Sequence, residues 1–393
     1  MIPTILLLIT LLLFISGLGL VAVPVVAFGG VVAIFILVLS LWSNQPLRLP
    51  ATFGWYALFL GLFLTSIIWS QDRLQSLELF ALYASASLLW LAGFLNQNRL
   101  SIILPKLIIF LGIAFAVITL INRAFDYRIL PQITPRGVIG YNSFYKNHHH
   151  LGNWWALVLI ITLSLWLKTR RPNYLVLSLV ALVVIALSLS RSAVVTAFIG
   201  SLLLLDNKAW LHRYRRLFWP LIVLAIVLFL YASAGKTTIV SRVYYIQALI
   251  GLIRHPLGVG VGNFGSISTE VGRLYPFLRS FSLVTHNLIL EFLIGMGLLG
   301  ISFVGWFVKI ILDITRTTTS DHRLVSALTL ALAANFFFNS TYLIPAFVWL
   351  WFLLLGCSYQ EKERLDHRAG YLILVGQALT IIVAAFVLVA AHR

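Results

Sequence analysis

Residues 151–192 are LGNWWALVLIITLSLWLKTRRPNYLVLSLVALVVIALSLSRS, two apolar runs joined by a basic turn that contains Lys168, Arg170 and Arg171. Each run approaches the roughly 20 residues that a transmembrane helix needs. A short basic turn between two such runs is typical of a helical hairpin whose turn lies in the cytoplasm. The stretch therefore predicts an α-helical membrane protein.

The composition of the whole chain favours the same class. Of 393 residues, 61% are hydrophobic and 10% are charged, whereas an average soluble domain is about a quarter charged. This excludes a soluble nucleotide-binding fold, and the single cysteine, Cys357, excludes a disulfide scaffold. The net charge of +17 comes without a Lys/Arg-rich block or an aromatic RNA motif, so we expect the lipid bilayer and no nucleic acid as a partner.

Apolar runs predict an all-α polytopic protein with about 12 transmembrane helices, or about 13, in a single transmembrane domain over residues 1–393. The predicted spans are two short helices before residue 42, separated near Pro24, and then 51–69, 77–95, 102–121, 151–167, 175–189, 193–205, 218–231, 288–312, 325–340, 345–357 and 372–390. Basic clusters at 168–171 and 208–216 assign those turns to the cytoplasm. Two longer loops, 122–150 and 233–286, then lie on the opposite face.

The loop over residues 233–286 is the larger of the two and is predicted to cap a site at the membrane surface. Val243, Ile246, Leu249 and Ile253 fall at helical spacing, which predicts an amphipathic helix over about 240–254 that can lie on the outer leaflet. The loop is also basic and includes Arg273. A basic cavity near the membrane suits an anionic ligand such as a lipid diphosphate, although solvated loop charge is the alternative.

Several kinds of chemistry lack the residues that they need. The chain has 11 Asp and Glu residues, no D-x-D pair, no Walker or G-x-G-x-x-G loop and no G-x-S-x-G elbow. The histidine triplet at 148–150 suggests a metal site, but adjacent ligands on one element point in different directions, which is poor tetrahedral geometry. A loop that meets a helix start at the membrane interface is the favoured interpretation. We expect no metal and no cofactor, and chemistry that depends on His, Arg and Tyr.

Three short motifs contain candidate functional residues. The first, Ser-Leu-Ser-Arg-Ser, places Arg191 between two apolar runs, where an arginine is costly unless it is paired or hydrated; a snorkelling helix end is the alternative. The second extends from Arg242 to Phe264 and contains Arg254-His-Pro-Leu-Gly-Val-Gly-Val-Gly. Its glycines allow backbone amides to approach a ligand, and a plain turn is the alternative.

The third motif begins with His286 and Asn287 at the start of an apolar run. Histidine has an unperturbed pKa of about 6.5, so a neutral imidazole can accept a proton near neutral pH. His286 is therefore a candidate general base, and a polar residue that caps the helix is the alternative.

In this order and spacing, the three motifs resemble those of the O-antigen ligase and O-antigen polymerase superfamily. The ligase signature is His, then Asn, Ser or Gln, nine residues, Gly, two residues, and Gly, Thr or Tyr. His286, Asn287, Gly297 and Gly300 match it in full. The resemblance is best over about residues 147–300 and is closest to the ligases.

The resemblance implies a GT-C-type fold in the bacterial inner membrane, with a large periplasmic loop over the site. It implies transfer of a glycan from undecaprenyl diphosphate to a sugar of lipid A core at the periplasmic face, with inversion and without a metal. The residues that it assigns are His286 as the general base, Arg191, Arg242 and Arg254 as ligands of the diphosphate, and Asn287 and Arg273 in supporting positions.

Two other functions remain open on the sequence. A polymerase of the same superfamily would pass the glycan to another lipid-linked glycan, although the compact chain and short loops favour a ligase. A transporter, as for relatives labelled as bicarbonate-linked, would need broken helices or paired charges at the membrane midplane. No oligomeric state is predicted, because no G-x-x-x-G seam stands out.

Overall fold

In the computed structural model, the chain is mostly α-helical. The structure describes residues 2–18, 22–43, 49–126, 144, 147–204, 243–279, 282–317, 322–359, 362–363 and 367–391. The helices before residue 205 are α1 (Ile2–Leu18), α2 (Ala22–Ser43), α3 (Phe53–Ser66), α4 (Arg73–Leu95), α5 (Gln97–Ala124), α6 (His148–Thr169), α7 (Pro172–Leu187) and α8 (Arg191–Leu204). Those after residue 242 are α9 (Val243–Arg254), α10 (Phe264–Leu274), α11 (Leu288–Met296), α12 (Ile301–Thr317), α13 (Arg323–Asn335), α14 (Pro345–Ser358) and α15 (His367–Ala391).

Short elements join several of these helices. The 3₁₀ turns are Ile67–Trp69, Pro276–Leu278, Gly297–Gly300 and Ser340–Leu343. Two strands of two residues each, β1 (Leu49–Pro50) and β2 (Lys362–Glu363), pair antiparallel.

Among the residues that the structure describes, six helical segments are long and apolar enough to cross a membrane. They are Val25–Trp42, Arg73–Leu95, Gln97–Ala124, His148–Thr169, Leu288–Arg316 and Leu374–Ala391. The outer faces of α7 and α15 expose large apolar side chains, among them Val176, Val183, Leu379 and Phe386. Contact of such apolar faces with water is unfavourable, whereas contact with the hydrocarbon tails of lipids is not. The prediction of an all-α membrane protein is confirmed at this level.

Helix boundaries follow the predicted spans with local differences. The first apolar block divides between Leu18 and Ala22, so Pro24 lies in the first turn of α2, where a missing N–H costs no intrahelical hydrogen bond. The predicted span at 218–231 lies outside the described residues.

The segment predicted as one span over 288–312 is apolar and helical, but it is divided by the turn at Gly297–Gly300. The rings of Phe292 and Phe303 lie 4.2 Å apart between centroids. Eleven residues of continuous helix would separate their Cα atoms by about 16 Å. The chain therefore bends sharply between α11 and α12, and α11 is a short helix that leads into α12.

The centre of the bundle is formed by α4 and α14, which are buried along nearly their whole lengths. Polar side chains link them, because Trp349 Nε1 donates to Ser85 Oγ over 3.0 Å and Tyr83 Oη donates to the Tyr342 carbonyl over 2.9 Å. These bonds satisfy polar groups that lipid could not, and they hold the turn before α14 against α4.

Residues 243–279, which we call the cap, form a second and smaller core. Its buried apolar side chains are Ala248, Val259, Phe264, Ile267, Val271 and Leu278, packed with Ile294 of α11. The opposite face of α9 exposes Ile246, Leu249 and Ile253. Of the helix that was predicted over about 240–254, the structure describes Val243–Arg254. Its predicted apolar stripe divides, because Val243 packs against the cap's core while Ile246, Leu249 and Ile253 face away from it.

Candidate functional site

A cavity of about 1330 Å³ opens between the cap and the bundle. Its polar lining residues are His149, Ser190, Arg191, Ser192, Tyr244, Tyr245, His286, Asn287 and Asn339. Its apolar lining residues are Leu189, Val195, Ile289, Leu290, Val304, Phe307, Val308, Ile311, Leu312, Leu330, Ala333, Ala334, Phe337 and Phe338. The first and third sequence motifs thus meet in one cavity, although 95 residues separate Arg191 from His286 in the chain (286 − 191).

Three helices whose first turns are capped by described side chains begin at the polar end of this cavity. In α6 the cap residue Asn147 accepts from the N–H of His149 over 3.0 Å. In α8 Ser190 Oγ accepts from the N–H of Ala193 over 3.3 Å, and in α11 Asn287 Oδ1 accepts from the N–H of Leu290 over 3.1 Å. Each helix N-terminus carries partial positive charge, and three of them at one place favour an anion.

Arg191 adds a full positive charge at this end of the cavity. Its side chain is half-buried, and no described residue among those that line the cavity is Asp or Glu. The positive charge is therefore not compensated by a carboxylate of the lining, as it would be in a structural ion pair. A guanidinium in such a place can bind a phosphate through two parallel hydrogen bonds.

A buried polar network lies behind Arg191 and fixes the start of α8. Ser192 Oγ donates to Asn153 Oδ1 over 3.0 Å, and Asn335 Nδ2 donates to the same oxygen over 2.9 Å. Asn339 Nδ2 donates to Ser192 Oγ over 2.8 Å. These bonds join α6, α8 and α13 within the apolar bundle, so the backbone that carries Arg191 has little freedom to move.

His286 occupies a constrained position beside the cap. Its φ is 53°, in the left-handed region that a histidine adopts at a cost, and such outliers concentrate at functional sites. Its ring lies 5.5 Å from that of Tyr244 between centroids. Burial lowers the pKa of His286 below its ordinary value of 6.5. The imidazole is therefore neutral at pH 7, which is the form that a general base requires.

Asn287, and not His286, caps the helix that follows. Besides its bond from Leu290, Asn287 donates through Nδ2 to the carbonyl of Phe337 over 3.3 Å. The capping role that was the alternative for His286 is thus filled by its neighbour, and the imidazole lines the cavity.

The buried carboxylate of Glu291 holds the segment that carries His286. Its Oε2 accepts from the N–H of Thr285 over 3.2 Å, from Thr285 Oγ1 over 3.0 Å and from Tyr342 Oη over 2.9 Å. Its Oε1 accepts from the N–H of Gly262 over 3.1 Å. One carboxylate thus connects the residue before His286 to the cap and to the turn before α14. Sequence reasoning gave Glu291 no role, although an acid inside an apolar run signals a needed partner.

The glycine-rich motif contacts protein and not the cavity. Gly260 has a φ of 95°, and a Cβ there would collide with Ser70. Its N–H donates to the carbonyl of Gly295 over 2.8 Å, and the N–H of Val259 donates to that of Ile294 over 3.1 Å. The close backbone approach that the glycines allow is therefore to α11 and to the α3–α4 turn, where it attaches the cap to the bundle.

The remaining predicted arginines do not join the cavity lining. Arg254 Nε forms an ion pair with Glu270 Oε1 over 2.7 Å, and Glu270 Oε2 also lies 2.8 Å from His255 Nε2. Arg273 is exposed on the cap, and neither it nor Arg254 lines the cavity. Arg242 lies outside the described residues. Of the four arginines assigned from the sequence, the structure places Arg191 with His286.

His149 and the two tyrosines of α9 are lining residues that sequence reasoning did not assign. Among the described residues, no group of three His, Cys, Asp or Glu side chains is placed to hold a metal ion. The triplet instead divides: His148 is exposed, His149 lines the cavity, and His150 is buried. A helix start explains this division, because consecutive side chains point about 100° apart.

The apolar end of the cavity extends along α12 and α13. Val304, Phe307, Val308, Ile311 and Leu312 follow helical spacing on one face of α12. They cover about 12 Å of the helix axis. The cavity thus combines a cationic end with an apolar groove inside the bundle.

No protein-family model matches the chain, and neither a curated protein nor a solved structure matches it. The resemblance to the O-antigen ligases therefore depends on the residues quoted from the sequence.

Proposed function

We propose that the protein is an O-antigen-ligase-like glycosyltransferase. It transfers a glycan from undecaprenyl diphosphate to a sugar of lipid A core at the periplasmic face of the bacterial inner membrane. The observation that carries the proposal is one cavity in which Arg191, three helix N-termini and His286 border an apolar groove. The match of His286 to Gly300 with the ligase signature gives the substrate class.

A lipid diphosphate matches the two ends of the cavity. Its diphosphate carries negative charge, which Arg191 and the helix starts attract. Its isoprenoid tail is apolar, and the groove lined by Phe307, Ile311 and Leu330 offers an apolar surface inside the bundle. A free sugar nucleotide would use only the polar end, so the groove favours a lipid-linked donor.

The transfer is a direct displacement at the anomeric carbon. The acceptor hydroxyl oxygen forms the new bond to that carbon while the bond from the carbon to the diphosphate oxygen breaks. The hydroxyl proton passes to the neutral imidazole of His286, and the electron pair of the broken bond stays on the lipid diphosphate. Arg191 stabilises this leaving group, and direct attack inverts the anomeric configuration.

The proposal includes a GT-C-type fold with about 12 spans. The six long helical segments would be joined by shorter apolar helices, among them Phe53–Trp69, Pro172–Leu187, Arg191–Leu204, Arg323–Asn335 and Pro345–Ser358. The cap then lies over the periplasmic end, because Lys168, Arg170 and Arg171 at the opposite ends of α6 and α7 belong in the cytoplasm.

The test is a transfer assay with the purified protein, a mixed pool of undecaprenyl diphosphate glycans and lipid A core, with EDTA present. Core-linked product that requires His286 supports the ligase and a reaction without a metal. Longer lipid-linked chains without core-linked product would assign the cavity to a polymerase. Absence of both products from folded protein would contradict the proposal and favour a transport role.

A further inference from the structure

His149 lies at the same end of the cavity as Arg191, on a different helix. It is the second residue of α6, while Arg191 begins α8, and both line the polar end. The reaction proposed above uses Arg191 and His286 and gives His149 no role. His149 is therefore a second imidazole in the cavity lining, at the end where Arg191 lies.

Close packing brings the two helix starts together. Gly152 lies one turn after His149, and a Cβ at that position would collide with Ser188, two residues before Ser190 and three before Arg191. Ser190 Oγ lies 3.1 Å from Ser192 Oγ, on either side of Arg191. The absence of a side chain at Gly152 thus lets the turn before Arg191 rest on the second turn of α6, one turn from His149.

We propose that His149 is a second ligand of the donor diphosphate, acting with Arg191 on the leaving group. An imidazole can donate a hydrogen bond to a phosphate oxygen whether it is neutral or protonated. His149 on α6 and Arg191 on α8 can each bind one of the two phosphates of a diphosphate. A monophosphate has a single phosphate group and cannot satisfy both side chains in this way. The inference rests on the proposed function and adds selectivity for the diphosphate over the monophosphate.

His149 and His286 have separate roles in this account. His286 is beside the cap and accepts the acceptor's proton, so its loss lowers kcat. His149 binds the leaving group in the ground state as well as in transfer, so its loss mainly raises KM for the donor. If His149 only supported the fold, its substitution would weaken the binding of every ligand to a similar degree.

The binding test uses the full-length protein in phosphatidylcholine nanodiscs, with farnesyl diphosphate, farnesyl monophosphate and farnesol as probes. For His149→Ala we expect affinity for farnesyl diphosphate to fall about 10- to 100-fold, because a hydrogen bond to a charged group is lost. Affinity for farnesol, which reports the apolar groove, should stay unchanged. His149→Lys should recover most of the diphosphate affinity.

The matched control is His148→Ala, which removes the exposed neighbour that does not line the cavity; we expect affinity within about twofold of wild type. Equal affinity of His149→Ala and wild type for farnesyl diphosphate, with a loss in Arg191→Ala, would overturn the role of His149 alone. A parallel loss of farnesol affinity in His149→Ala would also overturn it, because it would indicate a structural role. If wild type did not distinguish farnesyl diphosphate from farnesol, the proposed function would fail as well.

Discussion

The start of α8 and the surface of the cap both carry an arginine that the sequence singled out, but the two have different surroundings. Arg254 is paired with Glu270, which also contacts His255, so the charge of this cluster is already compensated. Arg191 lines a cavity whose described residues include no carboxylate, beside three helix starts. An arginine near a membrane is thus available to an anionic ligand only where the fold leaves its charge uncompensated.

The pKa of Glu270 reflects the same compensation. Partial burial alone would raise it, but hydrogen bonds from His255 and Arg254 outweigh burial and lower the pKa below its ordinary value of 4.5. The carboxylate stays ionised over the physiological range and holds both partners. The cluster therefore favours a structural role on the cap.

Substitution of the proposed base should give the largest effect. We expect His286→Ala to lower kcat for glycan transfer about 10²–10⁴-fold, because the acceptor hydroxyl loses its proton acceptor. Affinity for farnesyl diphosphate should change little, since the anion site keeps Arg191. The measurement is steady-state transfer with purified protein, and a variant with wild-type kcat would show that His286 is not the base.

Removal of Arg191, whose charge no described carboxylate of the cavity lining compensates, should give the next largest effect. For Arg191→Ala we expect donor affinity to fall about 10- to 100-fold, from the loss of charge-assisted hydrogen bonds. Arg191→Lys should recover only part of it, because lysine cannot make two parallel bonds. Titration with farnesyl diphosphate measures the affinity of both variants. Unchanged affinity in Arg191→Ala would show that Arg191 does not bind the diphosphate and would contradict its distinction from Arg254.

Substitution of the buried carboxylate of Glu291 tests whether this residue positions His286. Glu291→Gln replaces one carboxylate oxygen with an amide NH₂ group, which donates hydrogen bonds and cannot accept them. This NH₂ group then faces either the donors of Thr285 and Tyr342 or the N–H of Gly262, so at least one of these donors loses its acceptor. At about 1–3 kcal/mol for an unsatisfied buried group, we expect kcat to fall about tenfold or more while KM for the donor stays close to wild type. A change in donor KM alone would contradict a positioning role for His286.

The pH profile should report the burial of His286. Because burial lowers its pKa, the neutral and active form persists below pH 6.5, and activity is lost only as pH falls through the lowered pKa. We expect kcat/KM to fall on the acidic side only below pH 6.5. The same profile is measured in His149→Gln, which removes the other histidine of the lining, so that the remaining pH dependence can be assigned to His286. A limb at or above pH 6.5 in both proteins would argue against a buried histidine base.

The smallest effect is expected on the cap. Arg254→Ala removes a partly exposed ion pair, and such pairs contribute about 0.2–1 kcal/mol to stability. We expect transfer activity and donor affinity within about twofold of wild type. A loss comparable to that of Arg191→Ala would place the diphosphate on the cap and reverse the comparison.

The membrane class was accessible from the sequence, and the meeting of two motifs was implied by the resemblance to the ligases. Apolar runs and short basic turns gave the bundle, because lipid imposes helix length and composition on any span. Arg191 and His286 were identifiable because each is a polar residue at the end of an apolar run, where a polar group near lipid is costly unless it has a binding partner or a function.

Other features depend on contacts that no local pattern records. The bend between α11 and α12 arises where Gly297 meets the cap's glycine loop and Gly300 packs against the backbone of Phe292 and Leu293, although the run itself is continuously apolar. The compensation of Arg254 by Glu270 spans 16 residues and two helices. The contact of the turn before α8 with α6 occurs at Gly152, where a Cβ would collide with Ser188.

The most direct test is a cryo-electron microscopy structure of the protein in nanodiscs with a non-hydrolysable undecaprenyl diphosphate analogue. We expect density for the diphosphate within hydrogen-bond distance of Arg191, at the starts of α6, α8 and α11, with the tail along the face of α12 that contains Phe307 and Ile311. Diphosphate density beside Arg254 or Arg273 on the cap, with the cavity lined by His286 unoccupied, would contradict the account.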